Sequence, residues 1–161
     1  MEIRFAVPQD VPGILCLLRQ VGQVHHAGRP DLFRSGAQKY SASQVLAMLE
    51  DTQKPIFVAV EAEKVLGYGF CIVKQTQKDP VLADGTTLYI DDLCVDKDCQ
   101  GKGIGTALYE TILRYARQRR CESITLNVWA FNEPAKKFYE TLGLTPQKIG
   151  MEFRLEESGC C

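Results

Sequence analysis

The stretch Gln100-Gly101-Lys102-Gly103-Ile104-Gly105-Thr106 decides how this chain is read. It sets three glycines within five residues, just before a run in which Ile104, Leu108, Ile112, Tyr115 and Ala116 share one helical face. Each glycine inside a helix costs up to about 1 kcal/mol relative to alanine, so a cluster at a helix start calls for a reason. One reason is access: glycines leave backbone N–H groups uncovered by any Cβ. The first turn of a helix already has unpaired N–H groups and the positive end of the dipole. Together they suit a phosphate or pyrophosphate. Lys102 adds a cation and Thr106 a hydroxyl. Two familiar phosphate loops do not fit. A Walker loop ends in Gly-Lys-Ser/Thr after four intervening residues, which this stretch lacks. The dinucleotide fingerprint wants Gly or Ala where Thr106 stands, and no early βαβ unit precedes it.

Working outward, Thr86–Val95 reads as a long strand rich in β-formers, interrupted by Asp91-Asp92. Adjacent carboxylates are disfavoured in a strand, which points to a bulge or a function. Further upstream, Ile3, Phe5 and Val7 alternate as a first strand closed by Pro8. Asp10 and Pro12 start a helix carrying Ile14, Leu15, Leu18 and Val21. Residues 22–40, with His25 and His26, read as a long irregular loop. Ser41 or Ser43 opens a short helix. Ile56–Val60 is an apolar run expected as a central strand, and the turn at Glu61–Lys64 leads to a second strand over Val65–Val73. Downstream of the long helix, Ile124, Leu126 and Val128 alternate as a strand ending at Trp129. Ala135, Phe138, Tyr139 and Leu142 fit a short helix with Gly143 at its C-terminus. Ile149, Met151, Phe153 and Leu155 alternate as a last strand, one that could pair across a homodimer. This order predicts an α+β (mixed α/β) sheet with helices packed on it, in one domain over 1–161.

The composition narrows the function. A net charge of −1 gives no overall basic character of the kind that supports nucleic-acid binding. No apolar run approaches the ~20 residues that span a bilayer, and no secretory leader is seen, so a cytoplasmic protein is expected. Seven cysteines without a CxxC pair, and two histidines, argue against a metal site. Cys16, Cys71 and Cys94 sit in apolar runs and are expected as buried thiols, with Cys160 and Cys161 in a polar, oxidisable tail.

On these motifs the chain resembles the GNAT superfamily of acyltransferases. Its cofactor loop, Arg/Gln-x-x-Gly-x-Gly/Ala, is matched by Gln100, Gly103 and Gly105. A second family signature is matched by Asn132, Ala135, Phe138-Tyr139 and Gly143. The resemblance implies a mostly antiparallel sheet whose fourth and fifth strands splay apart. It implies acetyl-CoA as co-substrate, with its pyrophosphate on the backbone of Gln100, Gly101, Lys102, Gly103, Ile104, Gly105 and Thr106. Leu93, Cys94 and Val95 would flank the pantetheine arm, Asn132 would bond to it or orient the loop, and Phe138 would pack there. Tyr139 would be the general acid for the leaving thiolate, and Asp91 is favoured as the base over Asp92, Tyr89 or a water. Direct attack by a primary amine, without an acetyl-cysteine on Cys94, follows from the same resemblance. The expected acceptor is a small-molecule amine. The alternatives are a protein α- or ε-amine, or a non-catalytic CoA-binding sensor. Arg29, Asp31, Phe33 and Arg34 are expected in the acceptor wall. Trp129 reads equally as a lining residue or a buried one.

Overall fold

Five apolar residues in a row, Ile56 to Val60, are all buried and form the inner part of strand β2 (Ile56–Glu61). A strand buried on both faces lies inside a sheet with helices on either side. The computed structural model, which describes residues 1–155, shows that arrangement. Strand β1 (Glu2–Phe5) pairs antiparallel with β2, β2 with β3 (Lys64–Thr76), and β3 with β4 (Gly85–Val95). Strand β5 (Ser123–Leu126) joins β4 in parallel, and the order along the sheet is β1-β2-β3-β4-β5. A parallel pair needs a crossover, supplied here by helix α3 (Ile104–Gln118).

The two faces of the sheet hold separate cores. On one face Ile14, Leu17 and Leu18 of α1 (Val11–Gly28) and Val45 and Met48 of α2 (Ala42–Leu49) pack on Val58, Tyr68, Phe70 and Cys94. On the other, Ile104, Leu108 and Ile112 of α3 pack on Phe57, Ala59, Cys71, Leu88 and Ile90. Leu142 and Leu144, just beyond α4 (Glu133–Thr141), extend this second core. The hairpin between β2 and β3 turns through Ala62 and Glu63, both at positive φ (46° and 63°), a two-residue turn whose twist matches its strands. Helix α2 starts with a capping box: Ser41 Oγ accepts from Gln44 N at 3.2 Å, and Gln44 Oε1 accepts from Ser41 N at 2.8 Å.

Several sequence expectations need correction. Helix α1 runs through Gly22 to Gly28, so His25 and His26 lie in its last turn and not in a loop. Gly22 marks a close approach rather than a break: a Cβ there would sit 2.1 Å from the Ala37 carbonyl oxygen. Asp10 gives α1 no side-chain cap, because its carboxylate receives Arg4 Nη1 and Nη2 at 2.7 and 3.0 Å and Val7 N at 2.8 Å. Cys71 and Cys94 are buried, but Cys16 lies on the exposed side of α1. Strand β5 ends at Leu126, and Val128 and Trp129 lie beyond it. The alternating segment 149–155 forms no strand among the described residues. Cys160 and Cys161 lie outside the described residues. Among the described residues no helix is long and apolar enough to cross a membrane.

Candidate active site

The two adjacent carboxylates mark a bulge. Phe70 of β3 pairs with Asp92 and Cys71 with Ile90, leaving Asp91 as the extra residue of β4. Before the bulge, Leu88 and Ile90 face the α3 core; after it, Cys94 faces the α1 core. An extra residue reverses the alternation of a strand. Asp91 and Asp92 therefore both reach the α1 side, where each meets a phenol. Tyr68 Oη donates to Asp92 Oδ2 at 2.9 Å. Tyr40 Oη donates to Asp91 Oδ2, and Lys39 Nζ stands 3.0 Å from the same oxygen and donates to the Asp91 carbonyl at 2.9 Å. Burial pushes the Asp92 carboxyl up to about 6, against the lowering effects of Lys39 and the Tyr68 hydroxyl. Sequence reading missed Tyr40, Lys39 and Tyr68; nothing in their local pattern sets them apart from a loop end and an apolar strand.

Beyond the bulge, β4 loses its parallel neighbour. The β4–β5 ladder covers Thr87–Ile90 against Ser123–Leu126, while β4 continues to Val95. The edge of β4 over 91–95 thus faces a cleft. The glycine stretch closes its far end. Gly101 and Gly103 sit at φ of 76° and 77°, and a Cβ on either would meet nothing within 4 Å. These glycines are present for their left-handed backbone, which turns successive N–H groups the same way. Among the described residues, no protein acceptor takes the N–H groups of residues 101–106; the first bonded one is Ala107, to Gly103 O at 3.0 Å. Gln100 Nε2 donates to the Val95 carbonyl at 3.2 Å and ties the loop to the end of β4. Lys102 Nζ lies 3.4 Å from the Asp98 carbonyl. Gly105 has a different role: a Cβ there would come within 3.1 Å of the Phe138 ring, so α4 docks against the first turn of α3.

That docking brings α4 to the cleft. Asn132 caps the helix, accepting from Ala135 N at 3.3 Å, and Phe138 and Tyr139 follow one turn later. Burial raises the Tyr139 phenol well above its ordinary range, and the Asp92 and Cys94 side chains raise it further. The Cys94 thiol is pushed up to about 12, by burial first and then by Asp92 and Asp96. It is held as a neutral thiol, a poor nucleophile.

An aromatic group stands past the end of β5. The Trp129 ring meets Phe33 edge-on at 5.0 Å and stacks on Phe131 at 6.3 Å, and His25 lies 4.9 Å from Phe33. Trp129 remains 44% exposed, so it is not a buried core residue. Burial, and then Lys39, lower the His25 imidazole below its ordinary range, which favours its neutral form. Asn127 Nδ2 donates to Tyr89 Oη at 3.3 Å across the cleft, and Lys74 Nζ covers the Tyr89 ring at 3.9 Å.

A loop of unpaired N–H groups beside a strand edge left open by its neighbour is specific geometry, and the model of the acetyltransferase (GNAT) family matches residues 23–144. The chain belongs to this family. Among curated relatives, it is 35% identical over 94 residues to N-alpha-acetyltransferase 30 of Schizosaccharomyces pombe, covering 57% of this chain and 58% of the relative. It is 37% identical over 90 residues to 5-NmdU N-acetyltransferase of Pseudomonas phage PaMx11, covering 56% of each. The chain thus spans little more than half the length of these relatives. Among solved structures, a mutant of the BH1408 protein of Bacillus halodurans superposes with a TM-score of 0.92 at 36% identity, over 96% of this chain and 99% of that one. An aminoglycoside acetyltransferase from a soil metagenome shares the fold, at a TM-score of 0.73 and 19% identity.

Seen as a GNAT domain, the site has its parts on three elements. The end of β4, the first turn of α3 and α4 are adjacent: a Cβ on Gly105 would lie 3.1 Å from the Phe138 ring and 3.6 Å from Val95. Arg29 and Asp31 form an ion pair of 2.7 Å.

Proposed function

We propose that this chain transfers an acetyl group from acetyl-CoA to a primary amine in a ternary complex. The observation that carries this reading is the succession of two backbone stretches: the N–H groups of residues 101–106, which meet no protein acceptor, and the β4 edge over 91–95, which has no strand partner among the described residues. The first suits the pyrophosphate and the second the amide-bearing pantetheine arm, with the thioester beside Leu93 and Val95. Backbone N–H groups on that edge stabilise the oxyanion as the amine adds to the carbonyl. Asp92 takes the proton from the attacking nitrogen, because its raised pKa makes it a base suited to neutral pH. Tyr139 keeps its proton until sulfur leaves, then donates it as the C–S bond breaks. Asp91 is engaged by Tyr40 and Lys39, which supports an electrostatic role toward an ammonium in place of the base role that sequence position favours.

The acceptor we propose is a small cationic amine. Two carboxylates on one face would attract it, and Tyr40 and Lys39 narrow the approach. A protein α- or ε-amine is the second reading, supported by the likeness to a relative named for α-amine acetylation. A CoA-binding sensor is disfavoured by the presence of both Tyr139 and Asp92. Release of CoA in the presence of diamines, polyamines, amino acids, aminoglycosides and N-terminal peptides tests the proposal. Acceleration by a small diamine or polyamine supports it. Tight acetyl-CoA binding with no acceleration by any amine overturns it in favour of the sensor.

A further inference from the structure

The carboxylates that would draw in an acceptor ammonium already hold one, and it belongs to the chain itself. Lys39 Nζ stands 3.0 Å from Asp91 Oδ2 and donates to the Asp91 carbonyl oxygen at 2.9 Å. Its charge also reaches Asp92, whose carboxyl it lowers against the effect of burial. The centre of the Tyr40 ring lies 5.6 Å from the same nitrogen. Carboxylate, carbonyl and aromatic ring are groups that recognise a primary ammonium. Lys39 is 44% exposed, and an ion pair reached by water is worth about 1 kcal/mol or less, so the amine is placed there without being locked.

The backbone behind this amine is fixed. Tyr40 Oη donates to Asp91 Oδ2, and its ring packs 5.3 Å from Phe70. Gln38 Nε2 donates to the Tyr40 carbonyl at 2.6 Å, and the capping box of α2 begins at Ser41. The chain is tied on either side of Lys39, so only its stem is free to swing. The seat proposed for the thioester, beside Leu93, is two residues along β4 from Asp91, about 7 Å at the usual rise of a strand. Rotation about the flexible lysine stem covers that distance. A tethered nucleophile also reacts at an effective concentration that no dissolved amine attains.

We propose that Lys39 is itself an acceptor: the domain acetylates its Nζ in cis, from acetyl-CoA bound to the same chain. The inference rests on the acetyl-transfer reading and adds a modification site to it. The N–C bond forms as the C–S bond breaks. One ammonium proton passes through Asp92 to solvent. A second restores the Tyr139 phenol after that group has protonated the leaving sulfur, and the third stays on the amide nitrogen. The product amide is uncharged, so Asp91 loses its ion pair and the two carboxylates are left to an incoming cation.

The test is peptide mass mapping of the purified full chain, before and after incubation with acetyl-CoA and no added amine. An acetylated Lys39 resists tryptic cleavage, which locates the group. Lys64, at 61% exposure, and Lys54, at 45%, are as open to solvent and report purely chemical acetylation. Lys39 should be modified at least about 100-fold faster than either, and its rate should not change when the protein is diluted at saturating acetyl-CoA. Tyr139→Phe should slow the modification about 10²–10⁴-fold, and Lys39→Arg should remove the fast site. An acetyl group already on Lys39 after expression, and missing from the Tyr139→Phe chain, supports the proposal equally. A Lys39 that stays unmodified, that reacts no faster than Lys64, or whose rate falls on dilution would overturn it. CoA release with the amine panel on the same preparation separates the two readings. Amine-dependent release with Lys39 unmodified sinks this inference alone, and no release with any amine sinks acetyl transfer with it.

Discussion

Replacing Asp92 by asparagine should make the protein more stable and less active, and the size of the first effect follows from the site. Burial raises the carboxyl from its ordinary 3.8 to about 6. Each unit corresponds to about 1.4 kcal/mol, so the ionised side chain costs the fold up to roughly 3 kcal/mol at neutral pH. Partial contact with water makes this an upper bound. The sign follows from proton binding. Between pH 3.8 and about 6 the folded state holds this proton more tightly than the unfolded state. Stability from this group is therefore greatest below 3.8, falls across the window, and its full cost is present above about 6. Asparagine has no charge to desolvate, and its Oδ1 can still accept from the Tyr68 hydroxyl. Urea denaturation of both proteins at several pH values isolates the term. The variant should gain about 1–3 kcal/mol at pH 8 and little at pH 4. Its turnover should fall about 10²–10⁴-fold, and the rise in rate with pH near 6 should disappear. Equal destabilisation at both pH values, with turnover intact, would refute the reasoning about this carboxylate.

Gly103→Val should weaken acetyl-CoA binding through backbone strain rather than collision, since φ is 77° and a Cβ finds open space. With left-handed conformation costing roughly 1–2 kcal/mol, calorimetry should show a loss of about 5- to 30-fold, while the fold persists. Replacing Ala62-Glu63 by Asn-Gly should stabilise the hairpin by about 1 kcal/mol, because both positions have positive φ; an unchanged or lower melting temperature would contradict this. Trp129→Ala should raise the acceptor KM more than it lowers kcat, with acetyl-CoA affinity unchanged, if the exposed ring lines the acceptor approach.

The half of the site proposed to hold the pyrophosphate was legible because glycine is informative: Gly101 and Gly103 are needed for their dihedrals, and that need shows in the residue type itself. The acceptor half was only partly legible. Adjacent carboxylates announced a bulge, but a single extra residue reverses which way each side chain points, so sequence position favoured Asp91 while the base role is proposed for Asp92, whose carboxyl is pushed up by burial. Tyr40, Lys39 and Tyr68 reach the carboxylates through tertiary packing, from 24 to 52 residues away. The element order up to α4 was readable from periodicity, including the long helix α3 and the β2–β3 hairpin. Gly22 misled because a close-contact glycine and a helix-breaking glycine look alike in a sequence. The alternation at 149–155 misled: it reads as a last strand, but among the described residues no strand forms there, and its four apolar side chains are exposed.

The central claim is that the cleft between β4 and α4 performs acetyl transfer with Tyr139 as the acid. The direct test is Tyr139→Phe, with amine-dependent CoA release and acetyl-CoA affinity measured on the same preparation. Phenylalanine keeps the ring and removes only the phenol proton. Turnover should fall about 10²–10⁴-fold with the dissociation constant of acetyl-CoA unchanged within about twofold. Wild-type turnover in the variant would contradict the assignment.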